Sequence, residues 1–302
     1  MPVDALLLSD MVDGFLDYLR YERCRSPRTI ESYSLSLREF ENFFRSLDSG
    51  LSWQTVDEDV VRDWMEHLMD GGMEASSVGT RFAALRSLFR YALARHLVER
   101  DPTYRVDPPK HRKRLPAFVK ENEMNRLLDD LPWGTEFQDV RDKAIIMTFY
   151  ETGIRLSELT GLDDVDIDCD NRQLKVTGKG NKQRVVPYGE ELAVTLSSYV
   201  ACRDREVSRM CDALFVTPKG NRMKAEDVRN RVKAKLSLVS TQKKLSPHVL
   251  RHSFATAMLN NGASIESVRR LLGHASASTT EVYTHTTFEQ LRRVYKEAHP
   301  RV

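Results

Sequence analysis

Residues 101–116 read DPTYRVDPPKHRKRLP, and this stretch divides the chain. Proline fixes φ, lacks a backbone donor and restricts the residue before it, so Pro102, Pro108, Pro109 and Pro116 oppose both helix and strand. Within 105–114, Arg105, Lys110, Arg112, Lys113 and Arg114 stand against one acid, Asp107. The segment 105–116 therefore reads as a basic linker, and ten extended residues of it would span roughly 33 Å. A chain of 302 residues exceeds the usual size of one domain. Two domains follow, residues 1–104 before the linker and residues 117–302 after it.

On the N-terminal side the pattern is helical. Ser26-Pro27 opens one helix, because serine offers an N-cap oxygen and proline fits the first helical position. Behind it Ile30, Tyr33, Leu37, Phe40, Phe43 and Phe44 recur at spacings of three and four. Asp57 to Met69 reads as another helix, ended by Gly71-Gly72. A third begins near Ser76, with Phe82, Leu85, Leu88, Phe89, Ala92 and Leu93 on one face. Leu7–Arg23 completes a four-helix bundle.

Beyond the linker the chain is mostly helical with one β signal. QLKVT (173–177) and QRVVP (183–187) flank GKGNK (178–182), which reads as a hairpin with two lysines at its tip. Ser246-Pro247 opens a helix that closes at Asn261-Gly262. Ser264 starts the next, ended by Gly273. Ser278 with Glu281 has the capping-box spacing for a third. The fold class is thus mainly α with a small β-hairpin, the second domain being α+β.

Composition narrows the function. No apolar run reaches the ~20 residues of a membrane helix. The N-terminal segment has acids where a signal peptide needs basic residues. The four cysteines, Cys24, Cys169, Cys202 and Cys211, form no CxxC pair, against a zinc ribbon or a disulfide scaffold. A reducing cytoplasm is the default location. The net charge of +2 divides into −6 for residues 1–104 and +8 for 105–302. The second half's excess lies in the linker and in 221–244, where eight lysines and arginines face Glu226 and Asp227. Clustered cations are the footprint of a phosphate backbone, although an isolated basic run is more often a solvated face.

The chemistry-bearing residues are individually ordinary. His248 and Arg251 share one helix face next to a positive helix end, which favours an anion. His248 and His252 form an HxxxH pair, but Val249 stands where a zinc protease needs glutamate. His274 follows the helix stop at Gly273, and Tyr283 lies nine residues later. Arg155 follows Gly153 and by itself reads as a partner of Glu158. Taken together, two arginines, two histidines, a hairpin lysine and a tyrosine suit phosphoryl transfer without a metal. Arginines clamp the non-bridging oxygens, and general acid–base groups serve the nucleophile and leaving group.

TGIRLSEL (152–159), GKGNK (178–182), HVLRH (248–252), LLGH (271–274) and YTH (283–285), in this order, resemble the tyrosine site-specific recombinases, also called the phage-integrase family. The likeness covers nearly the whole chain, and the ending 288–301 resembles the Xer subgroup. It implies a two-domain DNA clamp: a helical, SAM-like core-binding domain (1–104), the linker (105–116), and a catalytic domain (117–302) with a C-terminal helix exchanged between protomers. It implies Tyr283 as nucleophile, Arg155 and Arg251 on the phosphate, and Lys179 as the acid for the leaving 5′-oxygen, with Lys182 left as the alternative. His248 would be base or positioner, His274 a hydrogen-bond donor, and Glu158 a group orienting the site. Arg28, Arg81, Arg86, Lys110, Arg112, Lys113, Arg114, Lys182, Lys243 and Lys244 become candidate DNA contacts. No cofactor or metal is implied. The partners implied are a double-stranded recombination site, a homo- or hetero-tetramer on it, a second Xer-type recombinase and a DNA-translocase activator, with no membrane.

The implied activity is strand exchange through a 3′-phosphotyrosyl link, in the Xer-type resolution of chromosome or plasmid dimers. No arm-binding domain stands before Leu7, which favours this role over integration or inversion of a mobile element. A non-catalytic DNA-binding regulator and a metal-dependent nuclease are the other readings. Phe288, Leu291, Val294, Tyr295 and Ala298 form an apolar stripe that fits docking on its own domain or in a neighbouring protomer. Deleting the residues after Thr286 separates the two: exchange predicts loss of DNA-dependent tetramers, measured by native gel or mass photometry, and tetramers that survive exclude it.

Overall fold

The computed structural model describes residues 4–110, 117–178, 181–242, 244–273 and 285–301. The chain divides into two compact units, Met1–Arg114 and Leu115–Val302. Among the described residues no helix is long and apolar enough to cross a membrane.

The first unit holds α1 (Asp4–Asp17), continued by a π-helical turn, α2 (Pro27–Leu47), α3 (Glu58–Asp70) and α4 (Ala75–Ala94). Ser26 caps α2 as the sequence reads it, and Asp57, read as the start of its helix, is its N-cap. Ser26 Oγ accepts from the Thr29 N–H at 3.2 Å, and Asp57 accepts from the Asp59 and Val60 N–H groups at 3.0 Å. The apolar stripes close on a core rich in rings, with Phe40 against Trp64 at 4.9 Å and Trp53 against Phe44 and Phe89. The Arg86 guanidinium lies over the Phe82 ring and donates to the carbonyls of Thr103 (3.2 Å) and Val106 (2.6 Å). Val106 is buried in the same core, so the chain stays anchored on the helical unit past Arg105, where the sequence reads as linker.

The second unit contains α5 (Glu121–Asn125), α6 (Phe137–Thr152), α7 (Leu156–Gly161), β1 (Ile167–Asp168), β2 (Gln173–Thr177), β3 (Gln183–Pro187), α8 (Glu190–Glu206), α9 (Ala225–Leu236), α10 (Pro247–Asn260), α11 (Ile265–Leu272) and α12 (His285–Ala298). Helix α6 is buried along nearly its whole length and packs against α8, α9 and α10. That makes it the axis of this unit. The strands form an antiparallel meander in the order β1-β2-β3. The hairpin β2–β3 is the one in the sequence pattern. The two-residue β1 carries too short a pattern to be read. In the hairpin Leu174, Val176, Arg184 and Val186 face inward while Lys175 and Val185 are exposed.

In this single chain α12 docks on its own unit. Leu291, Tyr295 and Ala298 are buried against Phe254, Met258, Val268, Leu271 and Leu272. Asn261 Nδ2 donates to the Ala298 carbonyl at 3.0 Å. Arg301, just beyond, ties the end of the chain to Asn125, Asp129 and Glu191. The proposed cap of Ser278 and Glu281 lies outside the described residues.

Under α12 lies a buried polar cluster. One oxygen of Glu151 accepts from the Gly189 N–H (2.9 Å) and the Tyr295 hydroxyl (3.4 Å); the other has no partner among the described residues. Burial pushes the Glu151 carboxyl up to about 7 and the His299 imidazole down to about 4. The raised carboxyl favours the fold at low pH and loses that contribution as pH rises through about 7. The neutral histidine acts in the opposite sense, its contribution falling as pH drops below about 6.5. The two slopes oppose each other below pH 6.5, and above it only Glu151 titrates. Raising the pH from 6.5 to 8 should therefore cost the protein about 1 kcal/mol through Glu151. Urea titrations at the two pH values should show this decline in the wild type and its absence in Glu151→Gln.

Candidate active site

The site begins at the end of α6. Gly153 leaves the helix in the left-handed region, φ +59°, where glycine meets no steric penalty. Its missing Cβ is also a requirement of packing. A Cβ there would come within 2.5 Å of Phe254 and 2.8 Å of Leu272. The turn therefore lies directly on α10 and α11, and it delivers Arg155 as the N-cap of α7. Glu158, three residues on, reaches back to the Arg155 N–H at 2.7 Å, one half of a capping box. Its other oxygen accepts from Arg155 Nη1 at 2.8 Å.

Arg251 is the fifth residue of α10 and is buried. Its Nη1 donates to the Gly153 carbonyl at 2.6 Å and its Nη2 to the Leu272 carbonyl at 2.7 Å. Arg155 Nη2 donates to the next carbonyl, Gly273, at 3.1 Å. Both arginines singled out in the sequence thus converge on the C-terminal end of α11, where the helix dipole is negative and cations are favoured. Burial, then the nearby Arg155, pulls the Arg251 guanidinium down to about 10. His248 lies on the same helix, exposed, three residues before Arg251.

One side chain of this cluster escapes the sequence reading. Arg184 on β3 is buried and donates to both Glu158 oxygens, Nη1 at 2.7 Å and Nη2 at 3.0 Å. Its Nε donates to the Leu271 carbonyl at 3.0 Å. Burial pushes the Glu158 carboxyl up, but the Arg184 and Arg155 contacts outweigh it and hold the group down at about 2. A signal for Arg184 existed: in the alternation of β3 it shares the inward face with Val186, where an arginine needs a partner.

The hairpin tip adjoins this cluster. A Cβ on Gly178 would lie 3.2 Å from Glu158 Oε1 and 3.9 Å from Arg155 Nη1. Lys179, the next residue, lies outside the described residues, as do His274 and Tyr283. Lys182 is exposed beyond the tip. Among the described residues no group of three or more His, Cys, Asp and Glu could hold a metal ion. The centre as described carries three guanidinium groups and one carboxylate, a surplus of positive charge suited to an anion.

The candidate DNA contacts divide. Arg28, Lys110 and Lys244 are exposed. Arg81 pairs with Glu39 at 2.5 Å, and Arg86 holds the 103–106 segment as above. Arg112, Lys113, Arg114 and Lys243 lie outside the described residues. Within 221–244 several cations are engaged at home: Arg222 with Asp163, Arg231 with Gln138, and Lys235 with Asp139 over the Trp133 ring.

Residues 117–290 match the phage integrase family, and residues 12–96 match the phage integrase N-terminal SAM-like domain. The chain belongs to this family, the site-specific tyrosine recombinases, enzymes that cleave and rejoin DNA. Relatives named tyrosine recombinase XerC include one from Pelotomaculum thermopropionicum, 38% identical over 300 residues, covering 96% of this chain and 98% of the relative. Another, from Escherichia coli, is 37% identical over 294 residues, covering 96% of each. The fold is shared with a XerH site-specific recombinase solved as a pre-cleavage complex with its difH substrate (TM-score 0.66, 21% identity, 94% of this chain and 81% of that one). It is also shared with the Tn1549 transposon integrase in complex with a circular-intermediate DNA (TM-score 0.71, 16% identity, 94% and 99%).

The close approach at Gly153 gives a test of this local architecture. Gly153→Ala should cost about 1–3 kcal/mol from the backbone conformation alone. Denaturant unfolding measures it, and an unchanged midpoint would contradict the packing described.

Proposed function

We propose that this recombinase resolves chromosome or plasmid dimers at a fixed double-stranded site, working as a tetramer on DNA, alone or with a second Xer-type recombinase. The observation that carries the catalytic reading is the convergence of Arg155 and Arg251 on the end of α11, with surplus positive charge at the centre. The end-to-end likeness to recombinases named XerC supports the biological role. The setting is the cytoplasm, and exchange of α12 between protomers couples the subunits. A DNA translocase as activator belongs to the same reading.

In the mechanism, Arg155 and Arg251 bind the non-bridging oxygens of the scissile phosphate, and their charge offsets the negative charge that grows in the transition state. The Tyr283 oxygen attacks phosphorus and gives its proton to His248. The bond from phosphorus to the 5′-oxygen breaks, and Lys179 protonates that oxygen, Lys182 being the alternative donor. His274 donates a hydrogen bond to the phosphate. The products are a 3′-phosphotyrosyl link and a free 5′-hydroxyl. The bond energy stays in the link, so rejoining is the same step reversed with another strand's 5′-hydroxyl, without ATP. Glu158 keeps Arg155 in place throughout.

The test is covalent trapping on nicked duplexes carrying candidate Xer-type sites, in chelator and without ATP. The wild type should leave protein on DNA in a denaturing gel, and Tyr283→Phe should bind DNA but leave none. An adduct of equal yield from Tyr283→Phe would overturn the assignment.

A further inference from the structure

The last two carbonyls of α11 and that of its cap Gly273 are each taken by a different arginine: Leu271 by Arg184, Leu272 by Arg251 and Gly273 by Arg155. The phosphate reading uses two of them. Arg184 is buried, faces the core from β3, and spends its three donor nitrogens inside the protein. Two of these reach the Glu158 carboxylate, which in turn holds Arg155 through both its backbone N–H and its guanidinium. The third reaches α11. Gly273 is shaped to this arrangement: its φ is +65°, and a Cβ there would sit 3.0 Å from Arg184 Cζ, Nε and Nη1.

We propose that Arg184 is a positioning residue for the strand-transfer reaction, holding Glu158 so that Arg155 is aimed and fixing the point at which the chain leaves α11 toward His274 and Tyr283. The inference rests on the catalytic reading above and extends it to a residue that touches no DNA. It assigns Arg184 a double grip. One grip orients a phosphate-binding arginine, and the other sets where the nucleophile's segment starts. Misplacement on the scale of 1 Å between such groups costs on the order of 10²-fold in rate.

The charged groups facing Glu158 are Arg155 on its own element, Arg184 from β3 and Arg251 from α10. Removing Arg184 leaves the burial that raises the Glu158 carboxyl and takes away its bidentate partner. Glu158 then becomes protonated at a higher pH, and Arg155 loses its anchor as it does. A merely structural role for Arg184 would not give this pH signature.

The experiment uses the full-length protein, a nicked duplex on which the wild type forms the covalent adduct, and single-turnover trapping from pH 5 to 9 beside DNA-binding titrations. Arg184→Met should bind within about twofold of wild type, form the adduct on the order of 10²-fold more slowly, and lose rate toward acid pH more steeply than the wild type does through His248. Arg184→Lys keeps the charge but cannot span Glu158 and Leu271 together. It should restore the wild-type pH profile yet stay roughly tenfold slow, and it carries the test if Arg184→Met does not fold. Adduct formation by Arg184→Lys at the wild-type rate, or by Arg184→Met with an unchanged pH profile, overturns the proposal. If the wild type gives no adduct on any duplex, the catalytic reading fails, and the proposal with it.

Discussion

The Glu158 carboxylate is fully buried and accepts four hydrogen bonds: the Arg155 N–H and Nη1, and two nitrogens of Arg184. Those four contacts fill the acceptor capacity of an ionised carboxylate. A buried charge is tolerable only when paired and hydrogen-bonded in this way, and removing one partner is far more costly than never having had the pair. Glu158 therefore ties α7, β3 and, through the two arginines, the end of α11 into one arrangement. The placement of Arg155 depends on it, because that guanidinium is held by the same carboxylate that satisfies Arg184.

The surplus of positive charge follows from the same arrangement. Three guanidinium groups meet one carboxylate, and the carbonyl end of α11 compensates part of the excess without cancelling it. In the proposed mechanism a phosphodiester brings the missing negative charge. The three arginines are thus held in place without DNA, by contacts that a helix end and a single acid supply, which in the proposed mechanism is preorganisation for an anionic transition state.

Much of this was legible in the sequence where one local rule decides the outcome. Ser26-Pro27, Asp57 and Gly273 punctuate helices by cap and turn chemistry that needs no tertiary information, and they do so in the structure. The hairpin stood out because β-branched alternation flanks a glycine-rich tip. The pairing of Arg155 with Glu158 was visible from an i, i+3 spacing. Arg184 was not, since its partners lie 26 and 87 residues away and an arginine in a short strand reads as solvent-facing until the register is known. Val106 was missed for a similar reason: its burial depends on Arg86 folding back across 20 residues, against the local vote of the flanking prolines. The docking of α12 was legible as an apolar stripe, but a stripe does not say whose groove it fills.

The most direct measurement of the central claim is the site of covalent attachment. The trapped adduct is digested with nuclease and trypsin, and the peptide carrying residual nucleotide is sequenced by mass spectrometry. A single modified peptide, Leu271–Arg292, is expected, with the nucleotide joined to Tyr283 through its 3′-phosphate and a 5′-hydroxyl on the released strand. Nucleotide on any other residue, or a released strand ending in a 5′-phosphate, would contradict the claim.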